Sequence, residues 1–233
     1  MKLLGSQPVL RYTIEAARLS GVFSQIVVCS DDEAIFRYVC CSAPAWGDVS
    51  YIDRAPVPDH QADIVWVKEC LAKLPERVEA FAILRPTSPF RTADTIRRAF
   101  KKFTLPDQTA DSVRAVEPVR QHPGKMWALD MGRITPLLDY KRADGVPWHS
   151  CPTQSLPTFY VQNSSLEMAW TSNVETWGTI HGRKIAPFFC EGYEGFSVDY
   201  PDDWARAEQL VASGAVVLPR GSSPQAVTVG PSQ

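Results

Sequence analysis

The side chains best suited to chemistry stand together at residues 83–91, Ile-Leu-Arg-Pro-Thr-Ser-Pro-Phe-Arg. Two hydroxyls, Thr87 and Ser88, lie between Pro86 and Pro89, and a guanidinium flanks them on each side, at Arg85 and Arg91. Polar and basic groups of this kind, placed at the carboxyl end of a buried strand, occupy the crevice in which open α/β sheets hold their ligands. Two further clusters have suitable types. Asp53-Arg54, followed by Asp63, sits in a polar loop that also carries Asp59 and His60; the planar fork of Arg54 matches the oxygens of a phosphate. Late in the chain, Phe-Ser-Val-Asp199-Tyr-Pro-Asp202-Asp203-Trp brings three carboxylates to a helix start. Asp202 and Asp203 suit the first turn of that helix, where the helix dipole favours negative charge. The histidines, His60, His122, His149 and His181, have no metal-ligand spacing.

The elements that must position these groups follow from pattern. The apolar run Ala80–Leu84 is short enough for a buried strand, and the prolines end its ladder because they lack an N–H donor. A helix is predicted at about 93–103, with Ile96, Ala99, Phe100 and Phe103 on one face. Upstream, residues 8–20 read as a helix, with Pro8 in the first turn and Gly21 as the stop. Residues 26–29 form a strand, Ser30-Asp31-Asp32 open a short helix, 49–52 a strand, and 62–74 a helix. Downstream come strands near 112–117 and 195–199 and a helix at 201–213. This alternation predicts an α/β fold with a mostly parallel sheet and helices on both faces. Residues 118–170 break the rhythm with six prolines and read as an inserted arm, with short strand-like pieces at 126–129 and 159–170. Residues 219–233 are rich in Pro, Gly, Ser and Gln and read as a disordered tail, leaving 1–218 as the domain.

Composition narrows the classes. The chain has 233 residues, 45% hydrophobic and 21% charged, with a formal net charge of −2 and no long basic run, which argues against nucleic-acid binding. No stretch of 18 apolar residues is present, so no membrane span is expected, and the first residues are too few and too polar for a signal peptide. The six cysteines form no C-x-x-C pair and no spaced metal set. They read as reduced thiols in a cytoplasmic protein.

The segment at 85–91 resembles the Pro-Thr-Ser-Pro-x-Arg signature of the acylneuraminate cytidylyltransferases, which activate acidic sugars as CMP conjugates. The segment Gln154-Ser-Leu-Pro-Thr-Phe-Tyr160-Val-Gln-Asn163-Ser resembles the family's Gln-x-Leu-Pro-x-x-Tyr-x-x-Asn-Gly pattern. The segment around Asp199 resembles its late aspartate motif. The motifs occur in the family's order from about residue 3 to 213. The resemblance implies a Rossmann-like three-layer α/β/α nucleotidyltransferase fold with an inserted dimerisation arm. It implies CTP and a 2-keto sugar acid (sialic, legionaminic or related) as substrates and Mg²⁺ on Asp199. It also implies that Arg54, Asp63, Thr87, Ser88 and Arg91 meet the nucleotide, that Gln154, Tyr160 and Asn163 meet the acid, and that Arg85 and Lys125 act in catalysis. A homodimer is expected from the arm.

Three departures bear on function. Ser197 stands where the family often has a second aspartate. Arg85 stands where many members have glutamine, and a cation there would pair with a sugar carboxylate or a phosphate. The chain also starts after the strand and Lys-rich phosphate loop with which such proteins begin. A misassigned start or a truncated chain with impaired catalysis both account for this. Two rivals to the cytidylyltransferase reading therefore remain: another nucleotide-sugar pyrophosphorylase or glycosyltransferase, and a non-catalytic binding or assembly subunit.

Overall fold

The computed structural model describes residues 1–47, 49–58, 60–105 and 109–219. It divides into two compact units: Met1–Ala115 together with the chain from Asn163 onward, and Val116–Gln162.

In the first unit, β1 (Leu3–Leu4) and β2 (Gln7–Pro8) form a small hairpin that leads into α1 (Val9–Ser20). Gly21 ends this helix in the left-handed region, φ 66°, with its N–H returning to the Arg18 carbonyl, a conformation that costs glycine little. β3 (Ile26–Ser30), α2 (Glu33–Trp46) and β4 (Val49–Asp53) form a βαβ unit in which the two strands are parallel. The Asp32 carboxylate accepts the Ala34 and Ile35 N–H groups at 2.7 and 3.1 Å, so the Ser30-Asp31-Asp32 sequence starts α2 as expected of an Asp cap. The helix it starts runs 14 residues, past Pro44, rather than the short helix predicted. α3 (Ile64–Ala72), β5 (Ala80–Ile83) and α4 (Ala93–Phe103) follow. The Thr92 hydroxyl accepts the Thr95 N–H and the Thr95 hydroxyl accepts the Thr92 N–H, each at 3.1 Å, a reciprocal cap that fixes where α4 begins after the proline turn.

β6 (Ser112–Pro118) carries the chain into the second unit, whose hairpin is β7 (Trp127–Asp130) and β8 (Arg133–Pro136). The hairpin turn places Met131 and Gly132 at φ 42° and 78°, as a two-residue hairpin loop demands. A cluster of rings, His122, Tyr140, Trp148 and Phe159, with centroids 4.9 to 5.9 Å apart, packs this unit internally. Its hairpin leaves Leu129, Met131 and Ile134 75%, 95% and 59% exposed.

The chain returns along β9 (Tyr160–Trp170), then α5 (Thr171–Trp177), β10 (Ile185–Phe189) and α6 (Pro201–Ala212). The strand order is β10-β6-β9-β5, beside the separate parallel pair β3-β4. Helices cover both faces of the four-stranded sheet. Ala80, Ala82, Leu166 and Met168 pack with Ala16, Ala17, Ile96 and Phe103 of α1 and α4, while Phe81 and Ile83 pack with Val67 of α3 and Val174 of α5 on the other side. The alternation along β5 is the period of two that a sheet buried on both faces requires.

The three-layer α/β/α architecture is the one expected, and the sheet departs from parallel pairing at β9. β5 and β9 pair antiparallel, Ala80 opposite Trp170 through Ile83 opposite Glu167. The reason lies in the connection: β9 is entered from the second unit and not through a crossover helix, so nothing forces it parallel. Two local expectations also change. Residues 195–199 are irregular rather than a strand, held by the Val198 N–H donating to the Thr87 carbonyl at 2.9 Å. One end of the four-stranded sheet is β10, which the sequence reading does not contain, nor does it contain α5. Asp59 and all but the first residue of the expected tail at 219–233 lie outside the described residues.

Candidate functional site

The turn after β5 and the irregular segment before α6 are tied together by that Val198–Thr87 hydrogen bond. This brings Thr87 and Asp199 to one cleft of about 320 Å³, lined also by Lys2, Pro86, Tyr200 and Trp204. Each wall has a sequence cause. Pro86 and Pro89 fix the turn, and the Ser88 N–H closes it on the Arg85 carbonyl at 3.2 Å. Pro201 starts α6. The Asp203 carboxylate accepts the Asp199 and Tyr200 N–H groups at 3.1 and 2.9 Å, the capping role its first-turn position suggested. Asp203 is thus spent on the backbone, whereas Asp199 is exposed. Among the described residues, no group pairs with the Asp199 carboxylate. Lys2 places its ammonium 3.9 Å from the centre of the Trp204 ring, a cation–π contact that holds a positive charge at the cleft.

The other predicted residues of the 85–91 segment turn inward. Arg91 is 1% exposed. Its guanidinium donates to the Ser165 carbonyl, to the Thr13 hydroxyl at 3.2 Å, and to the Arg85 carbonyl at 3.3 and 3.4 Å. Burial pushes its pKa down to about 9. It holds α1, the turn and β9 together by donating to neutral acceptors, so the structure places it in the interior and not on the wall of the cleft. Ser88 is also 1% exposed, and its hydroxyl finds no partner; it too is interior. The cause is the tight turn, which sends adjacent side chains in opposite directions.

Arg85 and Asp63, assigned to catalysis and nucleotide binding, are paired with each other, and the second Asp63 oxygen accepts the Trp66 indole N–H at 2.9 Å. Glu167, opposite Ile83 in the ladder, lies behind them, with Arg114 at 3.0 Å. Burial raises its pKa, opposed by Arg114 and then Arg85. Arg54 is paired with Asp31 at 3.2 Å and donates to the Ala55 carbonyl at 3.2 Å. Asn163 accepts the Ser165 N–H at 3.1 Å through its side-chain oxygen. Lys125, Gln154 and Tyr160 belong to the second unit. There the Lys125 ammonium donates to the His149 carbonyl at 2.9 Å and to the Cys151 carbonyl, while Gln154 and Tyr160 are exposed.

The structure therefore joins Thr87 to Asp199 and adds Lys2, Tyr200 and Trp204, which the sequence reading did not assign to a site. Lys2 gave no signal, because its place depends on the β1–β2 hairpin and the Val9 N–H that donates to its carbonyl at 3.3 Å. As a metal centre, the cleft offers one carboxylate. Among the described residues, no three His, Cys, Asp or Glu side chains gather to hold an ion, and the Ser197 hydroxyl is buried without a partner. A single unpaired carboxylate fits Mg²⁺, which commonly takes one or two protein oxygens and completes its shell with water and phosphate.

The class of fold is defined by solved structures. A CMP:2-keto-3-deoxy-manno-octonic acid synthetase complexed with CTP superposes with a TM-score of 0.63 at 10% identity, over 91% of each chain. A 4-diphosphocytidyl-2C-methyl-D-erythritol synthase from Anaerococcus prevotii does so with a TM-score of 0.62 at 12% identity, over 90% of this chain and 88% of the other. The chain has the Rossmann-like nucleotidyltransferase fold.

In sequence it is similar to proteins named as acidic-sugar cytidylyltransferases. It is 24% identical over 216 residues to the CMP-N,N'-diacetyllegionaminic acid synthase of Legionella pneumophila, covering 90% of this chain and 88% of the relative. It is 31% identical over 140 residues to the N-acylneuraminate cytidylyltransferase of Escherichia coli, covering 59% of this chain but 30% of the relative. The corresponding Streptococcus agalactiae protein is 28% identical over 157 residues, 63% of this chain and 36% of the relative. The chain thus spans about a third of the length of these two N-acylneuraminate cytidylyltransferases. No family model matches it. Among the described residues, no helix is long and apolar enough to cross a membrane.

Proposed function

We propose that this chain is a cytidylyltransferase that moves CMP from CTP to a 2-keto sugar acid and releases pyrophosphate. The observation that carries the reading is the meeting of Thr87, from the Pro-Thr-Ser-Pro turn, with an unpaired Asp199 in one cleft at the carboxyl end of β5. That is where an α/β sheet holds its ligand, and both residues come from segments shared in pattern with such enzymes.

In this reading the anomeric hydroxyl of the acid attacks the α-phosphorus of CTP, and the bond to the bridging oxygen of pyrophosphate breaks. Such transfers depend on positioning and charge neutralisation more than on covalent help from the protein. Asp199 would hold Mg²⁺, which when bound neutralises phosphate charge. Lys2, fixed over Trp204, adds a cation on the same cleft, and the Thr87 hydroxyl is a hydrogen-bond partner for a phosphate or ribose oxygen. Gln154, Tyr160 and Asn163 are assigned to the acid on the motif alone. The exposed apolar hairpin at Leu129–Ile134 supports the homodimer reading, which light scattering checks. The free cysteines fit a reducing, cytoplasmic setting.

A second reading is favoured by one specific observation. Arg54, Arg85 and Lys125 are all engaged within the protein, leaving few cations to meet a triphosphate, as expected of a binding or assembly subunit. Pyrophosphate release with Mg²⁺, CTP and a panel of 2-keto sugar acids separates the two. Release that requires both CTP and one acid supports the transferase. No release with any acid, from protein folded by circular dichroism, supports the second reading. Release with UTP or GTP in place of CTP points to a different nucleotide-sugar enzyme.

A further inference from the structure

The cation of the candidate cleft is held in place from outside it. Among the described residues that line the cleft, Lys2 alone carries a positive charge. Arg54, Arg85 and Lys125 are engaged elsewhere, and Arg91 is interior. The backbone around Lys2 is pinned. Its carbonyl accepts the Val9 N–H at 3.3 Å, and two residues on, the carbonyl of the fully buried Leu4 accepts the Tyr12 hydroxyl at 2.7 Å. The side chain needs its own restraint, because a four-carbon stem ending in a point charge is flexible. Trp204 supplies it, with the ammonium 3.9 Å from the ring centre. The indole is anchored in turn. It packs against the cluster of Leu4, Phe90 and Ala207, and its N–H donates to the Glu208 carboxylate at 3.0 Å, one turn further along α6. Glu208 is exposed and does not line the cleft. A carboxylate that accepts the indole N–H fixes the ring and polarises it, which strengthens the attraction of its face for a cation.

We propose that Trp204 and Glu208 are positioning residues that aim the Lys2 ammonium at the terminal phosphates of the bound nucleotide. The inference rests on the reading that this cleft takes CTP, and it names what the cation of the cleft meets. Lys2 and Asp199 line one cleft as opposite charges, each without an ionic partner among the described residues. A polyphosphate carrying a divalent cation answers both, with metal for the carboxylate and anionic oxygens for the ammonium. The carboxylate of a sugar acid answers only the second. Without the ring, Lys2 would have to be ordered as the phosphate arrives, and the rotamer freedom lost would weaken binding. With the ring, the charge is in place beforehand. Glu208 acts on the ring, the ring on Lys2, and Lys2 on the phosphate.

The test is isothermal titration calorimetry of the full chain in Mg²⁺ buffer with inorganic tripolyphosphate and, separately, with N-acetylneuraminic acid, each variant's fold being checked by circular dichroism. Lys2→Met should weaken tripolyphosphate binding about tenfold, the loss of one charge-assisted contact, and leave the acid unaffected. Lys2→Arg should restore binding to within about threefold of wild type, since it keeps the charge and the ring contact. Glu208→Ala, an exposed change, should weaken tripolyphosphate binding about threefold. That loss should vanish in the Lys2→Met background, a coupling that a merely structural role lacks. Trp204→Phe keeps a ring but no N–H, and should make Glu208→Ala silent as well. Equal tripolyphosphate affinity for wild type and Lys2→Met overturns the proposal. So does an effect of Glu208→Ala that persists without Lys2, or a loss confined to the acid. Tripolyphosphate binding that follows the expected pattern, in a chain that releases no pyrophosphate with any acid, supports this inference while counting against the transferase reading, so the two fail separately.

Discussion

Thr87 and Ser88 are adjacent hydroxyls in one proline-bounded turn, and they end in opposite places. Thr87 lines the cleft with Asp199, while Ser88 is sealed in the interior with its oxygen unpaired. The same division runs through the regions around them. The cleft is built from groups the protein leaves uncommitted or holds at its surface, namely Asp199 and Lys2. The layer beneath it, Arg91, Arg85 with Asp63, and Arg114 with Glu167, is built from charges and donors already committed to each other or to carbonyls. The two layers share a sequence motif but not a task. The lower layer fixes the turn, and the turn presents the cleft.

The sharpest way to break that division is to remove a member of each layer and compare folding with activity. Arg91→Ala strips the buried donors from the Ser165, Thr13 and Arg85 oxygens, and should destabilise the protein by about 3 kcal/mol. For a chain of this size that lowers Tm by roughly 6–12 °C, read by thermal circular dichroism. A stable Arg91→Ala protein that had lost only activity would reverse the assignment of this residue. Asp199→Asn should do the opposite. It keeps the fold, with stability within about 0.5 kcal/mol as for surface changes, yet lowers pyrophosphate release on the order of 100-fold, as removal of an electrostatic group at a reacting centre does. Thr87→Val and Ser88→Ala form the matched pair. The first should cost about tenfold in activity through one lost hydrogen bond, and the second should leave activity unchanged while stability holds or rises by about 1 kcal/mol, since it deletes a buried hydroxyl that pays no bond.

The smallest effect concerns pH. Glu167 has its pKa raised by burial, so the folded state binds its proton more readily than the unfolded chain does. Its charged form therefore weakens the fold above the raised pKa, and that penalty is relieved as pH falls through it toward the ordinary carboxylate value. Relative to Glu167→Gln, the wild type should gain urea resistance on going from pH 7 to pH 5. A difference between the two proteins that does not change with pH would show that Arg114 holds the carboxylate charged throughout.

Much of the architecture was legible because it is written in local patterns. The helix at 93–103, its start after the prolines, and the β3–α2–β4 unit follow from periodicity and caps. The mixed sheet was not legible: β9 runs antiparallel to β5 because of how the chain returns from the second unit, a long-range fact absent from any window of residues. β10 was missed because Ile-Ala-Pro-Phe-Phe carries a proline, which an edge strand tolerates. Within the site, residue type pointed to the right turn but not to the direction of each side chain in it. Arg91 and Ser88 look as available as Thr87 in the sequence, and only the burial of both, with Arg91 bonded to Thr13 and Ser165, separates them. Asp199 was singled out by its likeness to the late aspartate motif, and the structure adds that Asp203, four residues on, caps the helix and leaves it free.

The central claim, that the Thr87–Asp199 cleft transfers CMP to an acidic sugar, is tested most directly by phosphorus NMR of CTP, Mg²⁺ and a panel of 2-keto sugar acids with wild-type protein and with Asp199→Asn side by side. The account predicts that with one acid the wild type converts the triphosphate signals to a CMP phosphodiester and pyrophosphate in equal amounts, while Asp199→Asn, equally folded, leaves CTP intact over the same time. Unchanged CTP with the wild type and every acid, or equal turnover by both proteins, would contradict it.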